Sequence, residues 1–307
     1  MLSLSNTVRV IVRLALTLAI ALLIYLPVYR PVQLRWGATN EEIARAMPGD
    51  EIQPNPIFNA TRAVTIDAPP ERIWPWLVQI GYHRAGWYSA LDWVDNGGVP
   101  SASRIIPDLQ HIEAGDAIPV AERDVPVPGV PDINNWVVAV EPDRYLLVTT
   151  DNSQDSWLWA LEPVSGQQTR LIWRMRWGPY DWTSPYVVLQ TASDLGDFVV
   201  TRNILLSIKE RAEGRPIESL AASTPQVLLW MAVFGAFLAS LVGMVFRRDW
   251  LRPLAAVAVT GAVTLLLVFA MPPLWVDALA AATVYVWLLW LGRERRSAER
   301  LVLRRIH

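Results

Sequence analysis

The feature that most constrains this chain is Val227–Phe246, a run without a charged residue that is stopped by Arg247, Arg248 and Asp249. A helix needs about 20 mainly apolar residues to cross a bilayer core of about 30 Å, and this run supplies them. Two more follow. Leu254–Ala270 is opened by Pro253 and closed by Met271-Pro272-Pro273. Leu274–Leu291 carries one charge, Asp277, in its first turn, where it is expected to reach the interface. Trp275, Trp287 and Trp290 lie near the ends of that run, as in an aromatic belt. A further run, Leu14–Val28, is extended by Val10–Val12 if Arg13 snorkels. It exits through Tyr25-Leu-Pro-Val-Tyr-Arg-Pro31 without a small-residue cleavage site, and so reads as a retained anchor rather than a signal peptide. Three apolar runs in close succession favour spanning over burial in a soluble core.

Arginines orient these runs. Arg247, Arg248 and Arg252 follow the first C-terminal run, and Arg293, Arg295, Arg296, Arg300, Arg304 and Arg305 follow the last, whereas 271–273 carries none. The positive-inside rule places both sets in the cytoplasm. The chain is therefore expected to be a multi-pass plasma-membrane protein with both termini cytoplasmic. Residues 1–30 would form an anchor, 31–222 an extracytoplasmic soluble domain, and 223–307 three transmembrane helices with a basic tail.

Composition narrows the functions. Of 307 residues 52% are hydrophobic, and the net charge of −2 offers no basic field for nucleic acid. Cysteine is absent, which removes disulfides, thiolate catalysis and Cys-based zinc sites. His83, His111 and His307 are too scattered for a metal cluster. Gly97-Gly98 is a turn, and the chain has no GxGxxG, GxxxxGK[ST], serine elbow or HExxH, so no cofactor is expected.

Between residues 31 and 226 the texture is charged, proline-rich and aromatic. Thr39-x-x-Glu42 is a capping box opening a short helix that Pro48-Gly49 ends. Ala60–Ala68 alternates as a strand, and Pro69-Pro70-Glu71 opens a helix with Trp74, Leu77 and Val78 as its buried face, kinked or split in two at Pro75. Residues 136–150 form a hairpin turning at Glu141-Pro-Asp-Arg144. In Asp155–Glu162, Trp157, Trp159 and Leu161 alternate with more polar neighbours; in Gln168–Trp177, Leu171, Trp173, Met175 and Trp177 oppose Arg170, Arg174 and Arg176. That division predicts one buried and one wet face. Ser184–Gly214 reads as a long amphipathic helix through Val188, Leu195, Phe198, Leu205 and Ile208. The order implies α+β, with a long helix across an antiparallel sheet enclosing a space that side chains or a ligand fill.

Five segments then carry a resemblance: Arg35-Trp-Gly-Ala-Thr39 through Pro48-Gly-Asp50, Thr61–Glu71, Trp74-Pro-Trp-Leu-Val-Gln79, Gly86-Trp-Tyr-Ser89 and Ile208–Glu213. Over about residues 35–213 the chain resembles a membrane-anchored bacterial branch of the SRPBCC (START-like, polyketide-cyclase-like) superfamily. The resemblance implies a helix-grip fold with a hydrophobic pocket, beside which the chain would carry four transmembrane helices. It carries no catalytic residue over.

Trp87, Tyr88 and Trp93 are candidates to line the pocket entrance, with His83, Arg84 and Asp92 orienting a polar headgroup and Trp157, Trp159 and Trp173 lining the wall. The plainer alternative, favoured by default, packs the tryptophans as core and pairs Arg84 with Asp92 at the surface. His111, Glu113 and Asp116 read as a strand end and turn rather than an acid–base set. The leading expectation is binding of a lipid, polyketide-like or isoprenoid-like molecule at the membrane, without catalysis. The alternatives are a cyclase or hydrolase drawing on His83, Tyr88, Asp92 and His111, and an extracytoplasmic module that binds another protein.

Overall fold

The computed structural model describes residues 25–89, 92–120, 134–150, 155–178, 187–217, 220–246, 251–270 and 272–306, with residues 8, 10–13, 15, 16 and 23. The N-terminal run expected to span lies largely outside them. The chain divides into two compact units, Leu26–Leu220 and a second made of Met1–Tyr25 with Ala221–His307.

In the Leu26–Leu220 unit, α1 (Arg30–Arg35) precedes α2 (Asn40–Ala44). The capping box is present at α2: Glu42 N donates to Thr39 Oγ1 at 3.1 Å, and Thr39 N donates to Glu42 Oε2 at 2.6 Å. There follow β1 (Phe58–Ile66), α3 (Pro70–Val78), α4 (Asp92–Asp95), β2 (Ala117–Pro119), β3 (Asn134–Glu141), β4 (Tyr145–Thr150), β5 (Asp155–Ser165), β6 (Gln168–Trp177) and α5 (Val187–Ala212). The strands form one antiparallel sheet in the order β1-β6-β5-β4-β3-β2. Its first strand pairs with its last from Phe58↔Trp177 to Ile66↔Thr169. Leu205 and Ile208 of α5 are buried in the main core, which also holds Trp159, Leu171 and Trp173 from the sheet, and Phe198 is fully buried. This is the α+β arrangement of antiparallel sheet and long C-terminal helix. The side chains of Val188 and Leu195 lie outside the described residues.

Two local expectations are corrected. α3 is a single helix that contains Pro75 rather than two pieces; the carbonyl that proline leaves without a donor belongs to Glu71, an exposed residue. Its buried face is Ile73, Trp76, Leu77 and Val78, and Trp74 is only half-buried.

The larger correction concerns the arginines of β6, whose face is not wet. The segment that follows α1 lies over it and supplies oxygen acceptors. Arg174, 3% exposed in its side chain, donates to Thr61 Oγ1 (3.0 Å), Arg45 O (2.9 Å) and Asp50 Oδ2 (2.8 Å). Arg176 pairs with Asp50 Oδ1 at 2.9 Å and donates to Gln53 O at 3.0 Å. Arg170 pairs with Glu42 Oε1 at 2.7 Å, so the cap of α2 is also an anchor to the sheet. Burial alone would raise the Glu42 carboxyl, but the Arg170 and Thr39 hydrogen bonds outweigh it and hold the group below its ordinary value. Between these ion pairs a second small core of Met47, Ala63, Leu147, Leu158 and Ile172 closes the outer face.

In the other unit, α6 (Leu220–Phe246), α7 (Leu251–Ala270) and α8 (Leu274–Ile306) are helical. Among the described residues two stretches, not four, are long and apolar enough to cross a membrane: Thr224–Met244 and Leu274–Leu291. The apolar part of α7, Leu251–Leu267, stops short of span length. Large apolar side chains at Leu228, Met231, Phe234, Leu238 and Val242 are exposed at helical spacing on α6, a stripe suited to lipid and costly in water. Asp277 is fully buried, accepting from Gln226 Nε2 at 2.7 Å and Trp230 Nε1 at 3.2 Å, because α6 offers donors where the first turn of α8 presents its carboxylate.

The covered arginine face generates a contrast. Arg174→Ala removes a buried guanidinium that satisfies several backbone carbonyls and is expected to cost about 3 kcal/mol. Arg144→Ala breaks the exposed pair with Glu141 and is expected to cost less than about 1 kcal/mol. Urea unfolding of the full-length protein in neutral detergent, followed by tryptophan fluorescence, checks both.

Candidate functional site

The inner face of the sheet is aromatic because the period-2 alternation of β5 and β6 puts Trp157, Trp159, Trp173 and Trp177 on one side. Trp173 meets Trp157 edge-on at 6.4 Å and Trp159 at 6.3 Å, and Phe58 stacks on Trp177 at 4.1 Å. Trp159 and Trp173 are buried and Trp157 is half-buried, yet the Trp157 indole Nε1 is enclosed without a hydrogen-bond partner.

A buried arginine shares this face with the tryptophans. Arg62 of β1 lies opposite Trp173 in the register, is fully buried, and places its guanidinium 4.8 Å from the Trp173 ring and 5.4 Å from that of Phe198. Its Nε donates to Gln33 O of α1 at 2.7 Å. Nη1 lies 2.7 Å from Asp197 Oδ2 on α5, an ion-pair distance off the direction of a hydrogen bond, so Nη1 and Nη2 both lack a hydrogen-bond acceptor.

A second polar group is built by the chain between α3 and residue 101. Gly81 and Gly86 bridge each other at 3.0 and 3.1 Å, folding residues 79–89 back on themselves. Gly86 is required there: its φ is +78°, and a Cβ would sit 2.2 Å from Ser101 Oγ. Tyr88 takes φ 59°, rare for a bulky residue, and is held by several contacts. Its N–H donates to Ser101 Oγ (3.1 Å), its hydroxyl accepts from Gln79 Nε2 (2.9 Å), and the Arg211 guanidinium lies 4.3 Å over its ring. Burial pushes the Tyr88 phenol up to about 12, against the Gln79 hydrogen bond and the Arg211 charge, so it stays protonated and serves as no base at neutral pH. Asp92 accepts from Ser101 N (3.0 Å) and Oγ (2.6 Å). Ser89 Oγ donates to Asp95, and Asn203 of α5 donates to Ser89 O at 2.8 Å, which ties the loop to the long helix.

The sequence candidates therefore part company. Trp157, Trp159 and Trp173 form one aromatic wall, and Trp87, Tyr88 and Asp92 are buried in the loop network. His83 and Trp93 are exposed; His83 stacks on Tyr82 at 4.1 Å. Asp92 bonds Ser101, while Arg84 donates to Ile80 O (3.1 Å) and Val78 O (2.8 Å). His111 is 86% exposed in its side chain and 3.9 Å from Glu113, so His83, Tyr88, Asp92 and His111 do not assemble an acid–base set. Arg62, Asp197, Arg211 and Asn203 were not among the candidates. Arg62 alone left a signal, a charge in phase with Ala60 and Val64 on the inner side of a strand.

Asp95 generates a pH dependence. Burial raises its carboxyl from 3.8 to about 6, helped by the Asp92 charge and opposed by Ser89. The folded state therefore holds a proton that the unfolded chain has released, and this group's contribution to stability falls as pH rises from 3.8 to about 6. Asp95→Asn keeps an acceptor for Ser89 and removes the charge. It is expected to stabilise the protein by up to about 2 kcal/mol at pH 7.5 and by nothing near pH 3.5, read from urea unfolding across pH.

No family model and no curated protein matches the chain. Among solved structures, the solution structure of KanY is 16% identical over 52% of this chain and 99% of that one, with TM-score 0.35. A polyketide-cyclase-like protein from Corynebacterium glutamicum is 13% identical over 51% and 91%, with TM-score 0.31. The Aha1 dimer from Colwellia psychrerythraea is 15% identical over 50% and 96%, with TM-score 0.30. Similarity at this level assigns the chain to no family.

Proposed function

We propose that the chain is a membrane-tethered protein whose Leu26–Leu220 unit holds a hydrophobic molecule, of lipid, polyketide-like or isoprenoid-like kind, against the inner face of its sheet. The observation that carries this reading is the aromatic wall of Trp157, Trp159 and Trp173, which encloses polar donors that the protein leaves unused at Trp157 Nε1 and Arg62. A core built for stability alone satisfies its buried donors. Large, stiff aromatic surfaces with a few oriented polar groups are what small-molecule sites are made of.

Tethering rests on the two apolar stretches and the exposed stripe of α6. With the N-terminal run and α7 counted as spans, four crossings return both termini to the arginine-rich side, and the ligand-holding unit lies outside the cytoplasm. Holding the site at the bilayer raises its effective concentration toward lipid partners.

Two measurements test the proposal. Organic extraction of the full-length protein purified in mild neutral detergent is expected to release a stoichiometric hydrophobic compound on mass spectrometry, and repeated absence of any such compound would sink the binding reading. A reporter active only outside the cytoplasm, fused after Glu213, is expected to be active; activity only of a cytoplasmic reporter there would reverse the topology.

A further inference from the structure

Buried guanidinium donors without acceptors lie beside the aromatic wall. Arg62 is fully buried and has one carboxylate, Asp197, as its ionic neighbour, while Nη1 and Nη2 have no hydrogen-bond acceptor. Asp197 is also engaged by Thr201, whose hydroxyl donates to Oδ1 at 3.1 Å. On the same helix Arg202 places its guanidinium 5.2 Å from the Trp36 ring, with Nε and Nη1 enclosed and without acceptors. Burial holds Arg202 below its ordinary value, and no charge offsets that effect. Both guanidiniums rest on one aromatic pair, Trp36 and Phe198, which meet edge-on at 6.4 Å, and Tyr29 adds a third ring 6.3 Å from Phe198.

Among the described residues Arg62 has Asp197 as its ionic partner and Arg202 has no carboxylate paired with it, which leaves one positive charge uncompensated and four enclosed N–H-bearing nitrogens without acceptors. Burying such a charge without a partner is expensive, and a carboxylate or phosphate oxygen is the group whose geometry matches the guanidinium fork. The seat is continuous with the wall, since Arg62 touches Trp173 and Trp173 touches Trp157 and Trp159. We propose that Arg62 and Arg202 bind the anionic headgroup, a carboxylate or phosphate, of an acidic amphiphile whose apolar tail lies along the tryptophans. This deepens the binding function proposed above and rests on it.

The test uses the full-length protein in neutral detergent at pH 8, titrated with oleate, oleyl alcohol and inorganic phosphate and read by tryptophan fluorescence and native mass spectrometry. Oleate is expected to bind at least tenfold more tightly than oleyl alcohol. Arg202→Gln, a change at a half-buried position, is expected to weaken oleate binding at least tenfold and so erase that preference. Arg202→Lys, which keeps charge but loses the fork, is expected to fall between. Equal binding of oleate and alcohol by the wild type overturns the headgroup seat and leaves the hydrophobic-ligand reading standing. Binding of neither chain overturns both. Inorganic phosphate binding where neither chain binds makes the seat a free-anion site and overturns the amphiphile.

Discussion

Everything in the sheet depends on β6 carrying its guanidiniums into protein rather than into water. Arg174 is the centre of this, because it reaches the side chain of Thr61 on the neighbouring strand, the backbone of the covering segment and the carboxylate of Asp50. Arg170 and Arg176 repeat the device on either side through Glu42 and Asp50. A charge is tolerated inside a protein when its donors are answered, and here a stretch with little regular structure of its own is ordered by answering them. The sheet is thereby covered on both faces and its inner surface has a fixed backing.

The inner surface follows a different rule. There the polar groups are few and several are not answered from within the protein: Arg62, Arg202 and the Trp157 indole. The same residue type, arginine, is fully satisfied on one side of the sheet and left with spare donors on the other. That asymmetry separates the two faces more clearly than hydrophobicity does, because both have apolar cores.

Much of the fold was legible. The Thr39–Glu42 box, the hairpin turning at Glu141–Arg144 and the limits of β6 follow from short-range spacing, and the structure has them. What failed was long-range. Alternation says that Arg170, Arg174 and Arg176 share a face, but says nothing about whether another segment lies on it. The partners in the covering segment are more than 120 residues away in sequence, as with Arg170 and Glu42. The loop candidates were mixed for a related reason. The density of aromatics in 83–93 was visible, but the positive φ of Tyr88 and the Gly81–Gly86 bridge decide which of them turn inward. His83 and Trp93 were sent to the surface by backbone geometry that composition does not encode.

Asp277 has a consequence for how α8 is seated. Its carboxylate is satisfied by Gln226 and Trp230, side chains near the start of a helix translated two helices earlier. Apolar packing alone therefore gives an incomplete account of how α8 is seated, since the carboxylate in its first turn is satisfied only with α6 beside it. The small apolar core of Val233, Leu267 and Ala281 brings the helices together, and the two hydrogen bonds at Asp277 fix the register in which α8 meets α6.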